Sequence, residues 1–201
     1  ALMNFLALLG WSFDDKTTLM SRDELVERFT LERVGVSPAT FDYEKLDWMN
    51  GVYLRAFEPA AYAGRLAHFL NEEEGRGWDA GRIRAAAPLV QEKIGKLGEF
   101  DAYAGFLFRS VEPPAELVAG AGAVLGAVAD GLAALDPFEL EGVEGVLRGA
   151  AEALGLKPRD AFTPVRVAVS GSKVSPGLFE SIALLGRDES VARLRAAQAL
   201  A

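Results

Sequence analysis

The chain has no cysteine and a single histidine among its 201 residues. Without thiols there is no disulfide framework, no thiolate nucleophile and no cysteine-held zinc, a pattern that suits a reducing compartment, and a cytoplasmic location is expected. The one histidine, His68, cannot form a His–His metal pair, and with no nucleophile placed beside it a structural role is expected. No apolar run reaches the roughly 18 residues that a spanning helix needs. Even the Ala/Gly-rich residues 117–135 are interrupted by Asp130, so no membrane partner is expected. The Gly-Lys-Ser/Thr ending of a phosphate-cradling loop is missing too, and Gly171-Ser-Lys173 reverses its order. Asp14-Asp15 and Glu72-Glu-Glu74 are adjacent acids of the kind usually solvated in loops rather than paired for proton transfer. No catalytic residue, metal or cofactor is therefore expected in this chain.

A basic excess is also lacking, the net charge being -8. Indiscriminate nucleic-acid binding depends on neutralising phosphates with Lys and Arg, so a general DNA-binding role is excluded. The charge is unevenly placed. Residues 111–156 hold eight acids against Arg148 alone, whereas residues 157–201 hold seven basic groups against four acids. An anionic partner is expected to meet repulsion in the middle and attraction at the end.

Half of the residues are hydrophobic, enough for a substantial core. Strand-like alternation is scarce, and nearly every apolar stretch has helical spacing with recognisable caps, which predicts an all-α fold. Ser21-Arg-Asp-Glu24 is a capping box, its helix ending near Phe29. Asp42 caps a helix with Leu46, Met49 and Tyr53 on one face and Lys45 and Trp48 on the next stripe. Further helices are expected over residues 59–70 and 82–96, with Glu72 to Gly77 as a turn. Phe106-Leu-Phe108 reads as core. Two helices are expected between residues 115 and 156, with Asp136-Pro137 marking a start, and Gly122 and Gly126 allow close packing. The sequence does not start with Met and has no basic leader, and it reads as part of a longer chain.

The densest information lies in residues 163–180. Thr163-Pro164 and Ser175-Pro176 each set a hydroxyl before a proline, the signature of a helix start, and Gly171 suits a left-handed helix end between them. The second terminus would offer free N–H groups beside Arg166 and Lys173, a setting that favours phosphate or a base edge. Capped helix pairs with one nearby arginine also occur where nothing binds.

Pro164-Val-Arg-Val-Ala-Val-Ser-Gly171, Ser175-Pro-Gly-Leu-Phe-Glu180 and Leu184-Leu-Gly186 resemble the end of the anticodon-binding domain of bacterial glutamyl-tRNA synthetases. Phe41-Asp-Tyr-Glu-Lys-Leu-Asp-Trp-Met-Asn-Gly-Val-Tyr53 and Asn4-Phe-Leu-Ala-Leu-Leu-Gly-Trp-Ser12 are similar to further signatures of that family. The resemblance covers essentially the whole chain and is weakest over residues 115–156. Neither the His-Ile-Gly-His-like nor the Lys-Leu-Ser-Lys-Arg-like motif of the family's catalytic domain occurs. The resemblance therefore implies tRNA recognition without aminoacylation, with ATP and Mg belonging to the parent enzyme.

It also implies three parts: a stem-contact helical region (1–57), and an α-helical anticodon-binding cage in two subdomains (58–105 and 106–201). Arg33, Lys45 and Trp48 match positions facing the inner corner of tRNA. Lys93, Arg166, Ser175, Pro176 and Leu178 match anticodon-reading positions: Arg166 stacks on and donates to a base, Ser175 bonds one, and Pro176 and Leu178 form an apolar wall. Lys93 stands where discriminating members commonly carry an arginine for the third anticodon base. Lysine lacks the planar fork, so relaxed discrimination is implied. The expected partner is the glutamate tRNA, joined by the glutamine tRNA if discrimination is relaxed, and the chain is expected to be a monomer. A helical protein-interaction module that keeps the family fold is the alternative.

Overall fold

The computed structural model describes residues 1–35 and 38–201. Among these, the helices are α1 (Leu2–Leu8), α2 (Arg22–Arg28), α3 (Tyr43–Arg55), α4 (Pro59–His68), α5 (Ala80–Val90), α6 (Phe100–Ala104), α7 (Ala115–Val118), α8 (Gly122–Ala134), α9 (Leu140–Ala153), α10 (Pro158–Ser170), α11 (Leu178–Leu185) and α12 (Arg187–Gln198). The sole strand-like pairing among the described residues is an isolated bridge, Trp11 to Val34. The expected all-α fold is what the chain adopts.

Local chemistry sets the first elements. Ser21 Oγ accepts from Glu24 N at 3.2 Å while the Glu24 carboxylate accepts from Ser21 N at 2.8 Å, so the capping box starts α2 as read. Asp42 Oδ1 accepts from Lys45 N at 3.0 Å and starts α3. Buried Asn4 then joins three segments: its Oδ1 accepts from Met20 N and lies 2.7 Å from the Tyr53 hydroxyl, and its Nδ2 donates to Thr18 O at 3.0 Å. A small core of Trp11, Met20 and Leu25 closes this N-terminal part.

A polar seam fastens α3 to the residues just after α5. Gln91 Nε2 donates to Phe57 O at 2.8 Å and Leu54 O at 3.2 Å, satisfying carbonyls at the end of α3. Asn50 Nδ2 donates to Gly95 O at 2.7 Å, and Lys96 pairs with Asp47 at 2.7 Å. Helix α5 stops at Val90 rather than continuing to 96, although Gln91 still has helical backbone angles and its N–H donates to Ala87 O. Val90 O closes the helix by accepting from both Lys93 N and Ile94 N.

From Leu54 onward the buried residues form one continuous core reaching Ala197. Helix α8 lies at its centre, with Val124, Leu125, Val128, Ala129 and Leu132 all buried. Its glycines admit close neighbours on two sides. A Cβ on Gly126 would stand 2.5 Å from Gln198 of α12, and one on Gly131 would stand 2.5 Å from Val146 of α9. Small residues thus do here what the sequence suggested, packing water-soluble helices closely. Phe106 and Leu107 are buried, and Phe108 stacks on Trp78 at 4.5 Å.

Several expected boundaries move. Pro164 lies inside α10, which starts at Pro158 after Lys157. Lys157-Pro158 already supplies a proline at the first helical position, and the Thr163 hydroxyl donates back to Arg159 O at 2.7 Å instead of capping a new helix. Ser175-Pro176 is likewise no helix start. Helix α11 begins at Leu178 after Gly177, because Ser175 and Pro176 are held out of helical geometry by Arg166. Asp136-Pro137 precedes α9 by three residues, and the four-residue α7 adds a turn before the two expected helices. His68 is more than half exposed, its Nε2 3.9 Å from Glu73, rather than a packed core residue.

The deepest charge is Arg193 of α12, 8% exposed. Its Nε donates to Glu189 at 2.6 Å, Nη1 to Val169 O at 2.6 Å, and Nη2 to Phe106 O and Arg109 O at 3.0 Å each. Removing it strands three carbonyls and a carboxylate. Arg193→Ala is expected to cost about 3–5 kcal/mol, the range for breaking a buried charged network, read as a fall in the urea midpoint. A change within error would show that Arg193 does not hold the halves together.

Tyr62 is fully buried, and its hydroxyl has no partner among the described residues. Burial pushes its pKa from 10.0 up to about 12. Its contribution to stability is therefore complete below about pH 10 and lost as pH rises toward 12, because the unfolded chain ionises first. Tyr62→Phe is expected to flatten this alkaline fall in unfolding free energy and to be neutral or stabilising at pH 7, since it deletes an unsatisfied group. An unchanged pH profile would assign the alkaline limb elsewhere.

Candidate nucleic-acid interface

The loop between α10 and α11 is built around one guanidinium. Gly171, at φ +73°, ends α10 in the left-handed conformation as the sequence implied. The Ser170 hydroxyl bonds back to Arg166 O at 2.8 Å and forward to Ser172 O at 3.0 Å, and Val174 N donates to Ser172 Oγ at 3.1 Å. Arg166 Nη1 donates to Pro176 O at 2.7 Å and to Ser175 O at 3.3 Å, and also contacts Ser175 Oγ. One arginine nitrogen thus straps down the far end of the loop.

Arg166 and Ser175 are therefore brought together, each partly buried. Burial pulls the Arg166 pKa down, opposed by Tyr103 and Glu180 nearby. Its Nε and Nη2 donate to no atom among the described residues. Pro176 and Leu178 are both buried beneath the loop, as its floor rather than an open wall. Lys173 and Val174 form the exposed tip.

The N-terminus of α11 is not an open anion site. The Glu180 carboxylate folds over it, so that a Cβ on Gly177 would fall 2.2 Å from Glu180 Oε2. Glu180 was visible in the Ser175–Glu180 motif, but a motif read for its cap residues assigns it no task. Tyr103, also beside Arg166, carried no local signal, because it arrives from α6, sixty-three positions upstream.

The other expected site residues make no hydrogen bond or ion pair to this loop among the described residues. Lys93 is exposed just after α5 and makes no side-chain bond among the described residues. Lys45 is exposed near the start of α3, and Trp48, one turn on, is half exposed. Arg33 is exposed, with Nη1 donating to Phe13 O at 2.6 Å and its guanidinium 5.9 Å from the Phe13 ring. No hydrogen bond or ion pair joins Arg33 to Lys45 or Trp48 among the described residues.

The positive C-terminal block is largely consumed within the fold, which corrects the simple charge reading. Arg195 pairs with Asp130, and Arg187 donates to Leu135 O and lies 3.7 Å from Asp136. Both reach back to the acidic middle, and Arg193 is buried. Among the described residues no cluster of acids and histidines can hold a metal ion, and no helix is long and apolar enough to cross a membrane.

A family model described as an anticodon binding domain matches residues 57–198. The glutamate–tRNA ligase of Acidothermus cellulolyticus is 45% identical over an alignment covering 100% of this chain and 43% of that protein. That of Mycolicibacterium vanbaalenii is 43% identical, covering 97% of this chain and 41% of that protein. A solved glutamate tRNA ligase from Elizabethkingia meningosepticum, in complex with its amino acid, shares the fold with a TM-score of 0.84 at 22% identity, over 98% of this chain and 40% of that one. The chain spans about two fifths of the length of the relatives it matches.

Proposed function

The chain belongs to the anticodon-binding domain family, and from that membership we propose that it recognises a tRNA as the anticodon-reading part of a glutamate–tRNA ligase. The observation that carries this reading is the Arg166 loop. One edge of the guanidinium is spent on holding Ser175 and Pro176, while Nε and Nη2 remain without a described partner. A group fixed by one edge and unoccupied on the other is preorganised to meet an unstacked base, which needs a planar face and donors.

In this reading Arg166 stacks on an anticodon base and donates to its edge. Ser175 offers its hydroxyl, and Pro176 and Leu178 keep the loop at the height at which that hydroxyl can reach. Exposed Lys93 approaches the third base as a point charge. Arg33, Lys45 and Trp48 form the stem-contact set, the cations meeting phosphates and Trp48 packing on a ribose. The corresponding division is a stem-contact region (1–57) and a two-part cage (58–105 and 106–201). Ligation in the parent enzyme uses ATP and Mg. In this reading the contribution of this chain is to bind and orient the tRNA. The glutamine tRNA is a second ligand if Lys93 reads the third base loosely.

Arg166→Ala is expected to weaken binding to the glutamate-tRNA anticodon stem–loop by about 1–3 kcal/mol, the range for losing a stacked base. Titration calorimetry with loops of altered anticodon gives the decisive comparison. Equal affinity for every loop would leave a protein-interaction module as the better reading, and an unchanged dissociation constant in the variant would remove Arg166 from the site.

Lys93→Arg is expected to increase the preference for C over G at the third anticodon base, because a fork replaces a point charge. Competition binding between the two loops measures it. A strong preference already present with Lys93 would contradict relaxed reading.

A further inference from the structure

A polar cavity of about 300 Å³ that none of the Arg166-loop residues lines is walled by Arg82 of α5, Arg109 and Ser110 of the segment after α6, Glu189 and Arg193 of α12, and Leu185 of α11. Three arginines and one carboxylate are among its lining residues. That carboxylate, Glu189, is already taken by Arg193 at 2.6 Å. Outside the cavity Asp101 lies 2.7 Å from Arg109 and 2.9 Å from Arg76, and Arg76 is also paired with Glu74 at 3.0 Å, so the carboxylates there match Arg76 and Arg109. Arg82 has no carboxylate partner among the described residues, its one side-chain bond being Nη1 to Leu107 O at 2.9 Å. In a chain of net charge -8, the cluster keeps one positive charge in excess, carried by Arg82.

The forks are also held in place. Leu107 O fixes Arg82, and the carbonyls of Val169, Phe106 and Arg109 fix Arg193 behind it. Preorganised guanidinium groups beside a hydroxyl match a tetrahedral oxyanion better than they match a planar base or an apolar ligand. We infer that this cavity is a phosphate-binding site, in which Arg82, Arg109 and the Ser110 hydroxyl hold one phosphate group and Arg193 supports them from behind.

The phosphate has two possible sources, a phosphodiester of bound RNA or free phosphate; only the first rests on the tRNA reading above. Two arms separate them. In the first, the salt dependence of glutamate-tRNA binding is compared for the wild type, Arg82→Gln, Arg82→Gln/Arg109→Gln, and Arg84→Gln. Arg84 is an exposed cation of the same helix outside the cavity. Because both arginines hold one phosphate, the double variant is expected to make the slope of log K against log salt shallower by about one and Arg82→Gln by part of that, with Arg84→Gln unchanged. In the second arm, inorganic phosphate is titrated against the wild type and the double variant, following the arginine Nε–Hε resonances.

Shallower slopes confined to the cavity variants identify an RNA phosphodiester. Unchanged slopes with saturable Arg82 and Arg109 shifts, absent from the double variant, identify free phosphate. Neither response, or an equal effect from Arg84→Gln, overturns the site. If the wild type binds no tRNA, the tRNA reading fails on its own and the phosphate titration alone decides the cavity.

Discussion

Arg193 sets the geometry on which the C-terminal half depends. A guanidinium taken out of water loses its hydration, and only closely placed acceptors repay that loss. Here the acceptors come from three places far apart in the chain: Glu189 one turn away, Val169 in the last turn of α10, and Phe106 and Arg109 in the segment leaving α6. Because each is a fixed backbone or nearby carboxylate oxygen, their spacing is specified to within a hydrogen-bond length. The cation also lies at the carbonyl end of α10, where the helix dipole favours it. The start of the α10–α11 loop and the polar cavity are consequently both referenced to one side chain.

The same logic explains how an acidic chain stays compact. The acid-rich middle and the base-rich end are adjacent in the fold, since α8 packs against α12. Arg195 and Arg187 therefore meet Asp130 and Asp136 instead of solvent. These pairs are at least partly exposed, so each contributes little to stability. Their larger effect is on the field, because charge that looks available in the sequence has already been matched. The positive surface left to an anionic partner is dispersed, with Lys45, Arg84, Lys93, Lys157, Arg159 and Lys173 among the exposed cations that form no ion pair among the described residues. Such a surface favours recognition of defined groups over general attraction to nucleic acid.

Fold class was legible because it rests on local rules. The Ser21–Glu24 box, the Asp42 cap and the Gly171 terminus are each decided by a few neighbouring residues, and all three are found where the pattern put them. Legibility failed where two local rules competed. Thr163-Pro164 satisfies the helix-start pattern, yet Lys157-Pro158 satisfies it six residues earlier, and apolar burial of Val165, Val167 and Ala168 favours the longer helix. At Ser175-Pro176 a long-range bond from Arg166 overrode the cap. Arg193 and Tyr103 were illegible for a different reason. Their partners lie up to 87 positions away, and no periodicity announces them.

Arg166 and Ser175 are paired in the structure for a reason other than the one the motif suggests. The sequence pairs Arg166 with a helix N-terminus, but Glu180 already covers that terminus and α11 begins later. What keeps Arg166 and Ser175 together is a direct bond to the loop, with Gly171 allowing the chain to reverse so that position 175 returns beside position 166. This arrangement makes specificity depend on the loop as a unit. A base that stacks on Arg166 acts on the same guanidinium that fixes Ser175 and Pro176, so stacking and loop position are coupled through a single planar group. A phosphate at the terminus would have had to displace Glu180, whereas a neutral base edge need not. In the proposed reading the two tasks are separate, with base contacts at the Arg166 loop and phosphate contacts at the cavity beside Arg82.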